Sequence, residues 1–226
     1  MSTFLENSTL FRKVLMALTG LFLSVFLIVH LAGNLQLLLP PDQASIQFNQ
    51  YSKFMTSNLL IKIVSYVLYL SIILHAVLSL IITLKNKKSA GGGYAYDKRA
   101  KVSNWYSRNM GILGTIILLF LIVHMKDFWY EYKFGSLPMD AEGNKDLFSI
   151  VVSAFGEPLY VVGYIIAFVA LGYHLLHGIF SAFKTFGAYP SRISSLLYFI
   201  STGLTILLTV GFIFIPIFIY LKYHIA

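Results

Sequence analysis

The string FLIVH occurs twice, at Phe26–His30 within SVFLIVHLAGNLQ and at Phe120–His124 within LLFLIVHMKDFW. Each copy closes a long apolar run with an imidazole. What surrounds those runs decides how the two histidines are read.

Of the 226 residues 58% are hydrophobic and 12% charged, and the mean hydropathy is +0.76. That balance excludes an ordinary soluble domain and indicates a chain solvated by lipid. A hydrocarbon core of about 30 Å takes roughly 20 helical residues to cross. Five runs reach or approach that length: Val14 to Leu39, Leu59 to Leu84, Met110 to Met125, Pro158 to Phe183 and Ile193 to Leu221. The third is the shortest and has room to borrow a turn at either end. The expected fold is therefore all-α, a five-transmembrane-helix bundle forming one integral membrane domain over residues 1–226. The first run is too long for a cleaved signal peptide, and four more follow it. Cysteine is absent, which excludes disulfides, iron-sulfur ligation and covalent haem attachment within the chain. No nucleic-acid partner is expected.

Charge orients the bundle. With the N-terminus cytoplasmic, the inner side holds Arg12, Lys13, Lys85, Lys87, Lys88, Lys98, Arg99, Lys101, Arg108, Lys184 and Arg192, and the outer side holds Lys53, Lys62, Lys126, Lys133, Lys145 and Lys222. The excess of inner cations satisfies the positive-inside rule. The acidic residues Asp127, Glu131, Asp140, Glu142, Asp146 and Glu157 then fall in an outer loop, with Phe128, Trp129, Tyr130 and Tyr132 placed as an interfacial aromatic belt.

Depth sorts the histidines. At a rise of 1.5 Å per residue, His30 lies about 24 Å from the inner start of its helix and His124 about 21 Å from Met110. His75 and His174 each stand ten residues before an inner lysine, Lys85 and Lys184, so both lie about 15 Å from the inner face. Four histidines on four helices thus form two layers. A single intramembrane histidine can simply hydrogen-bond between helices, but depth-matched pairs suit an iron with two axial imidazoles held inside a bundle. Two layers imply two stacked haems. His177, one turn from His174 and about 10 Å from the inner face, is the alternative inner ligand.

Lesser signals accompany the pairs. Gly20 and Gly114 each precede a layer histidine by ten residues, where a macrocycle edge or a close helix contact needs a small side chain. The backbone carbonyls of Phe26, Ser71, Phe120 and Ala170, with the Ser71 hydroxyl, are in reach of the second ring nitrogens. Arg108 and Lys184 stand where they can meet either haem propionates or lipid headgroups. The GGGY run at Gly91–Tyr94 lacks the context of a phosphate loop and reads as a turn. Its basic surroundings can dock a partner or face anionic lipid. Pro216 is expected to bend the fifth helix, and His224 to lie in solvent beyond it.

The stretches KVLMALTGLFLSVFLIVHLAGNLQ, FNQYSKFM, SRNM and HLLHGIFSAFKTFG together resemble the single-polypeptide, dihaem cytochrome b membrane-anchor subunit of succinate dehydrogenase and fumarate reductase. The resemblance runs over nearly the whole chain. It implies a cytoplasmic flavoprotein subunit and iron-sulfur subunit as partners, two haem b as cofactors, a membrane quinone, by resemblance menaquinone, as substrate, and residence in the bacterial cytoplasmic membrane. It pairs His30 with His124 at the distal haem and His75 with His174 at the proximal one, the spacing of His174 from Gly187 matching the family's helix-ending glycine. The family's acidic residue in the fourth helix has no counterpart in VALGYHLLHG. A quinone site is expected beyond the distal haem, lined by some of Asn34, Gln36 and Asp127. A histidine-lined transporter is the rival from another class, and the absence of Asp and Glu from the five runs counts against it. A dihaem cytochrome b serving a hydrogenase or another quinone-linked dehydrogenase would share the haem chemistry.

Overall fold

The computed structural model describes residues 9–89, 103–187 and 192–225. The turn Gly91–Tyr94 and the basic residues Lys98, Arg99 and Lys101 lie outside the described residues. Helix α1 (Thr9–Asn34) tightens into a 3-10 turn at Leu35–Leu38. Then come α2 (Pro41–Ser57), α3 (Leu59–Ser89) and α4 (Trp105–Arg108). Helix α5 (Met110–His124) runs through a π-helical turn at Met125–Tyr130 into α6 (Glu131–Phe134). After α7 (Leu147–Ala154) follow α8 (Pro158–Thr185) and α9 (Ser194–Tyr220), the last with Pro216 inside it and a π turn at Leu221–Ile225 after it.

Five helical stretches are long and apolar enough to cross a membrane: Thr9–Leu38, Leu59–Asn86, Met110–Phe134, Pro158–Thr185 and Ser194–Ile225. In lipid every backbone N–H and C=O needs a partner within the chain, and a continuous helix supplies it. The third stretch passes Met125 because the π turn and α6 continue the same helix. Asp127 and Glu131, expected in a loop, therefore sit on its final turns. Pro41 and Pro158 each occupy a first turn, where their missing N–H costs nothing. Helix α8 stops at Gly187, whose φ of 83° is the left-handed conformation that glycine enters without strain.

Helices α1, α3, α5 and α8 form the four sides of the bundle. Packing joins α1 to α3 and α8, and α5 to α8 and α3, while α9 lies outside against α8 and α1. Thus α1 faces α5 across one diagonal, and α3 faces α8 across the other. The α8–α9 seam is the tightest: a Cβ on Gly172 would come within 2.7 Å of the Thr209 hydroxyl, so only glycine fits there. Leu208, Ile219 and Pro216 are sealed in the same seam. By contrast α3 and α5 bury little, 6% of each apolar window against 39% for α8.

One end of the bundle is capped. The connection between the first two spans, expected as a loop, folds into α2, which packs on α7. Leu37 and Ala44 are completely buried, and a Cβ on Gly33 would strike the Tyr51 ring at 2.5 Å. Asn49, fully buried, locks the cap. Its amide donates to Asp140 at 3.2 Å and Asp146 at 3.0 Å, and its carbonyl accepts the Phe148 N–H at 3.0 Å. Asp140 also accepts the amides of Glu142 and Asn144, and Lys53 donates to Asn144 at 2.9 Å.

Burial acts to raise the carboxyls of Asp140 and Asp146, but the hydrogen bonds from Asn144, Asn49, Ser149 and the Glu142 amide outweigh it and hold both below the usual carboxylate value. Groups held low stabilise the cap above their unfolded pKa of about 3.9 and lose that contribution as pH falls through the depressed folded value. Acidification from neutral to about pH 3 should therefore lower the protection factors of residues 135–150, taken relative to the intrinsic exchange rate at each pH, while those of the spanning helices hold. Equal protection factors there at both pH values would contradict this.

Candidate functional site

The two diagonals meet as two layers of imidazole. Nearer the cap, His30 from α1 faces His124 from α5, with ring centroids 5.8 Å apart and planes at 90°. Nearer the open end, His75 from α3 faces His174 from α8 at 6.1 Å and 60°. Each pair bridges helices that do not otherwise pack extensively on one another. Position along the helices explains the pairing: α1 and α5 run toward the cap and α3 and α8 away from it, so residues at matched depths converge on the bundle axis.

Gly20 and Gly114 fix the spacing of the layers. A Cβ on Gly20 would lie 3.3 Å from the His75 ring, and one on Gly114 3.8 Å from the His174 ring. The helices that carry the capped-end histidines thus flank the open-end pair with glycine. Ten residues of helix set the layers about 15 Å apart.

Aromatic rings wall the capped-end layer. His30 stacks on Phe26 at 5.2 Å and approaches Phe212 at 5.9 Å. His124 stacks on Phe120 at 5.5 Å and meets Phe128 at 5.4 Å. Phe128, expected in an interfacial belt, is instead buried, because the helix continues past His124 and a residue four positions on shares its inward face. Trp129 does face the bundle edge, donating to the Tyr69 hydroxyl at 2.8 Å.

The Nδ1 atoms of His75 and His124 find side chains rather than the carbonyls one turn back. His75 Nδ1 lies 3.2 Å from Thr19 Oγ1. When that hydroxyl donates to the carbonyl of Leu15 or Met16, it accepts from His75. The proton then sits on Nδ1, leaving a lone pair on Nε2. His124 Nδ1 lies 3.2 Å from the Tyr164 hydroxyl, while His174 Nδ1 is buried without a hydrogen-bond partner. His177 points elsewhere, its Nδ1 2.6 Å from Ser107 Oγ, which ties α4 to α8.

Several features fit a metal held by two imidazoles. A metal–imidazole bond of about 2 Å on each side puts ring centroids roughly 6 Å apart. Both pairs meet that spacing. Among the described residues no three His, Asp or Glu side chains converge, so a metal in either layer would take two protein ligands. The four rings stay only half-buried although they face inward, and α3 and α5 pack loosely beside them. The orphaned His174 nitrogen adds an unmet polar demand.

Arg108 is exposed at the open end, its guanidinium donating to the Ser103 carbonyl, and Lys184 lies over the Phe180 ring at 4.5 Å. Asn34 donates to the His30 carbonyl at 2.8 Å, and Gln36 is half-buried in the following 3-10 turn. Asp127 accepts from Lys126 at 3.0 Å and from Tyr160 at 2.9 Å. His224 is exposed as expected, but its ring lies against Gly156 and donates to the Val152 carbonyl at 2.8 Å, so the chain end docks on α7. Thr19, Ser107, Tyr160 and Tyr164 were not predicted as site residues. Only the i, i+4 spacing of the two tyrosines hinted that they share a helix face.

Compared with protein-family models, with curated proteins and with solved structures, the chain matches none.

Proposed function

We propose that the chain is the membrane-anchor cytochrome b subunit of a succinate:quinone oxidoreductase of the single-polypeptide, five-helix type. The observation that carries the reading is the pair of imidazole layers on crossed diagonals, at 5.8 and 6.1 Å. Five apolar helices and the sequence resemblance support the rest. Bound in the two layers, b haems supply one-electron transfer along the bundle axis.

The chain's own residues then divide the work. His30 and His124 hold the distal haem, and His75 and His174 the proximal one. Thr19 sets the tautomer of His75, and the Phe26, Phe120 and Phe128 rings keep water from the distal layer. His177 acts through Ser107 as a helix tie. Arg108 and Lys184 meet the proximal propionates at the open end. That end is cytoplasmic, where the flavoprotein and iron-sulfur subunits dock, and the cap faces outward from a bacterial cytoplasmic membrane. Quinone, by resemblance menaquinone, reacts at the capped end near Asn34, Gln36 and Asp127, within two turns of a distal ligand.

The purified chain should carry two non-covalent haems with low-spin, bis-imidazole spectra and should co-purify with a flavin-containing partner. One haem or none sinks the reading. Two haems without any flavoprotein would move it to a different quinone-linked dehydrogenase or hydrogenase.

A further inference from the structure

A hydrogen-bonded chain leaves His124 for the edge of the bundle. His124 Nδ1 lies 3.2 Å from the Tyr164 hydroxyl, Tyr164 3.1 Å from the Tyr160 hydroxyl, and Tyr160 2.9 Å from Asp127 Oδ2. Tyr164 is buried. The Asp127 side chain is one-quarter exposed, and its other oxygen meets Lys126 at 3.0 Å.

Donor arithmetic gives this chain one direction. The Tyr160 hydroxyl donates to Asp127 Oδ2, whose partner oxygen is held by Lys126. A phenol has one proton, so Tyr160 can only accept from Tyr164. Tyr164, its proton spent, can only accept from His124. The proton of His124 therefore sits on Nδ1, and Nε2 keeps its lone pair. In the metal-free chain an amide at position 127 lets the order reverse: Nδ2 donates to Tyr160, Tyr160 to Tyr164, Tyr164 to Nδ1, and the imidazole proton moves to Nε2; with a metal on Nε2 the proton stays on Nδ1 and the amide only weakens its hydrogen bond. The helix continuing past His124 places Asp127 opposite Tyr160 and Phe128 against His124.

We propose that Asp127 is a positioning residue for the capped-end layer, fixing His124 in its Nδ1–H form through Tyr160 and Tyr164 and raising the basicity of Nε2. A more basic axial imidazole favours the oxidised metal, so the relay holds the distal midpoint potential low. The part of this concerning haem rests on the functional reading above.

The test compares Asp127→Asn, Asp127→Glu and Tyr160→Phe in the purified, haem-loaded chain. Expected is an upward shift of the distal midpoint in Asp127→Asn and Tyr160→Phe, a near-native value in Asp127→Glu, and an unmoved proximal midpoint in all three. Tyr160→Phe separates the relay from the bare field of the carboxylate, because it keeps the charge and cuts the chain. A shift in Asp127→Asn alone, or equal shifts of both haems, overturns the inference. If the chain binds no haem, the functional reading fails, and the histidine ring 15N shifts decide the inference independently. Nδ1–H in the wild type and Asp127→Glu with Nε2–H in Asp127→Asn upholds it. One unchanged tautomer throughout overturns it.

Discussion

Replacing His30 or His124 with alanine is expected to leave a chain that binds one haem instead of two, with the proximal signal intact. Replacing His75 or His174 should remove the proximal haem and keep the distal one. The expectation follows from the diagonals: each layer has two imidazoles, and among the described residues no third His, Asp or Glu converges on it. The layers are about 15 Å apart along the helices, so each loss should stay in its own layer. His177→Phe should retain both haems, since its ring bonds Ser107. Haem content by pyridine haemochrome and separate midpoint titrations read all five variants. Loss of the proximal haem in His177→Phe but not in His174→Ala would exchange the two assignments.

The second large effect is expected at the cap. Asn49 is nearly the same size as aspartate, yet Asn49→Asp should open the cap at neutral pH. A carboxylate cannot donate to Asp140 or Asp146, and it adds a third negative charge beside those two. Each buried group left unpaired costs about 1–3 kcal/mol, and more where charge is involved. Asn49→Ala removes the same bonds without the charge and should be the milder change. The gap between the two variants should narrow on acidification toward about pH 4, where the introduced carboxyl takes up a proton. Limited proteolysis over residues 135–150 measures both. Equal protease resistance of Asn49→Asp and wild type at neutral pH would refute the role given to Asn49.

The sequence carries the spans and the histidine depths because lipid imposes one length scale and one rule, so apolar run length and the rare polar exception are read directly. His30, His75, His124 and His174 could be placed by counting rise along straight helices. The same counting stops where the expected helix stops. The helix continues through the π turn past Met125, so Phe128, four residues after His124, shares its inward face and Asp127 meets Tyr160. Helix α2 was hidden for another reason: its mean composition is polar, and it is held by burial against α7 and by Asn49 rather than by an apolar run. Thr19, Ser107, Tyr160 and Tyr164 depend on which face of one helix meets another, a rotation fixed by packing such as the Gly172–Thr209 contact. No local pattern encodes it.

The crossed pairs also have a mechanical meaning. A four-post frame whose neighbouring posts touch can still shear into a rhombus, because side contacts resist compression but not a change of corner angle. Struts across both diagonals, set at different heights, remove that freedom and also resist twisting of one end against the other. In the proposed function, a group held between His30 and His124 and another between His75 and His174 would supply those struts, and α3 and α5, the least buried posts, would rely on them most. A chain lacking one strut would keep its corners at one height and rack at the other.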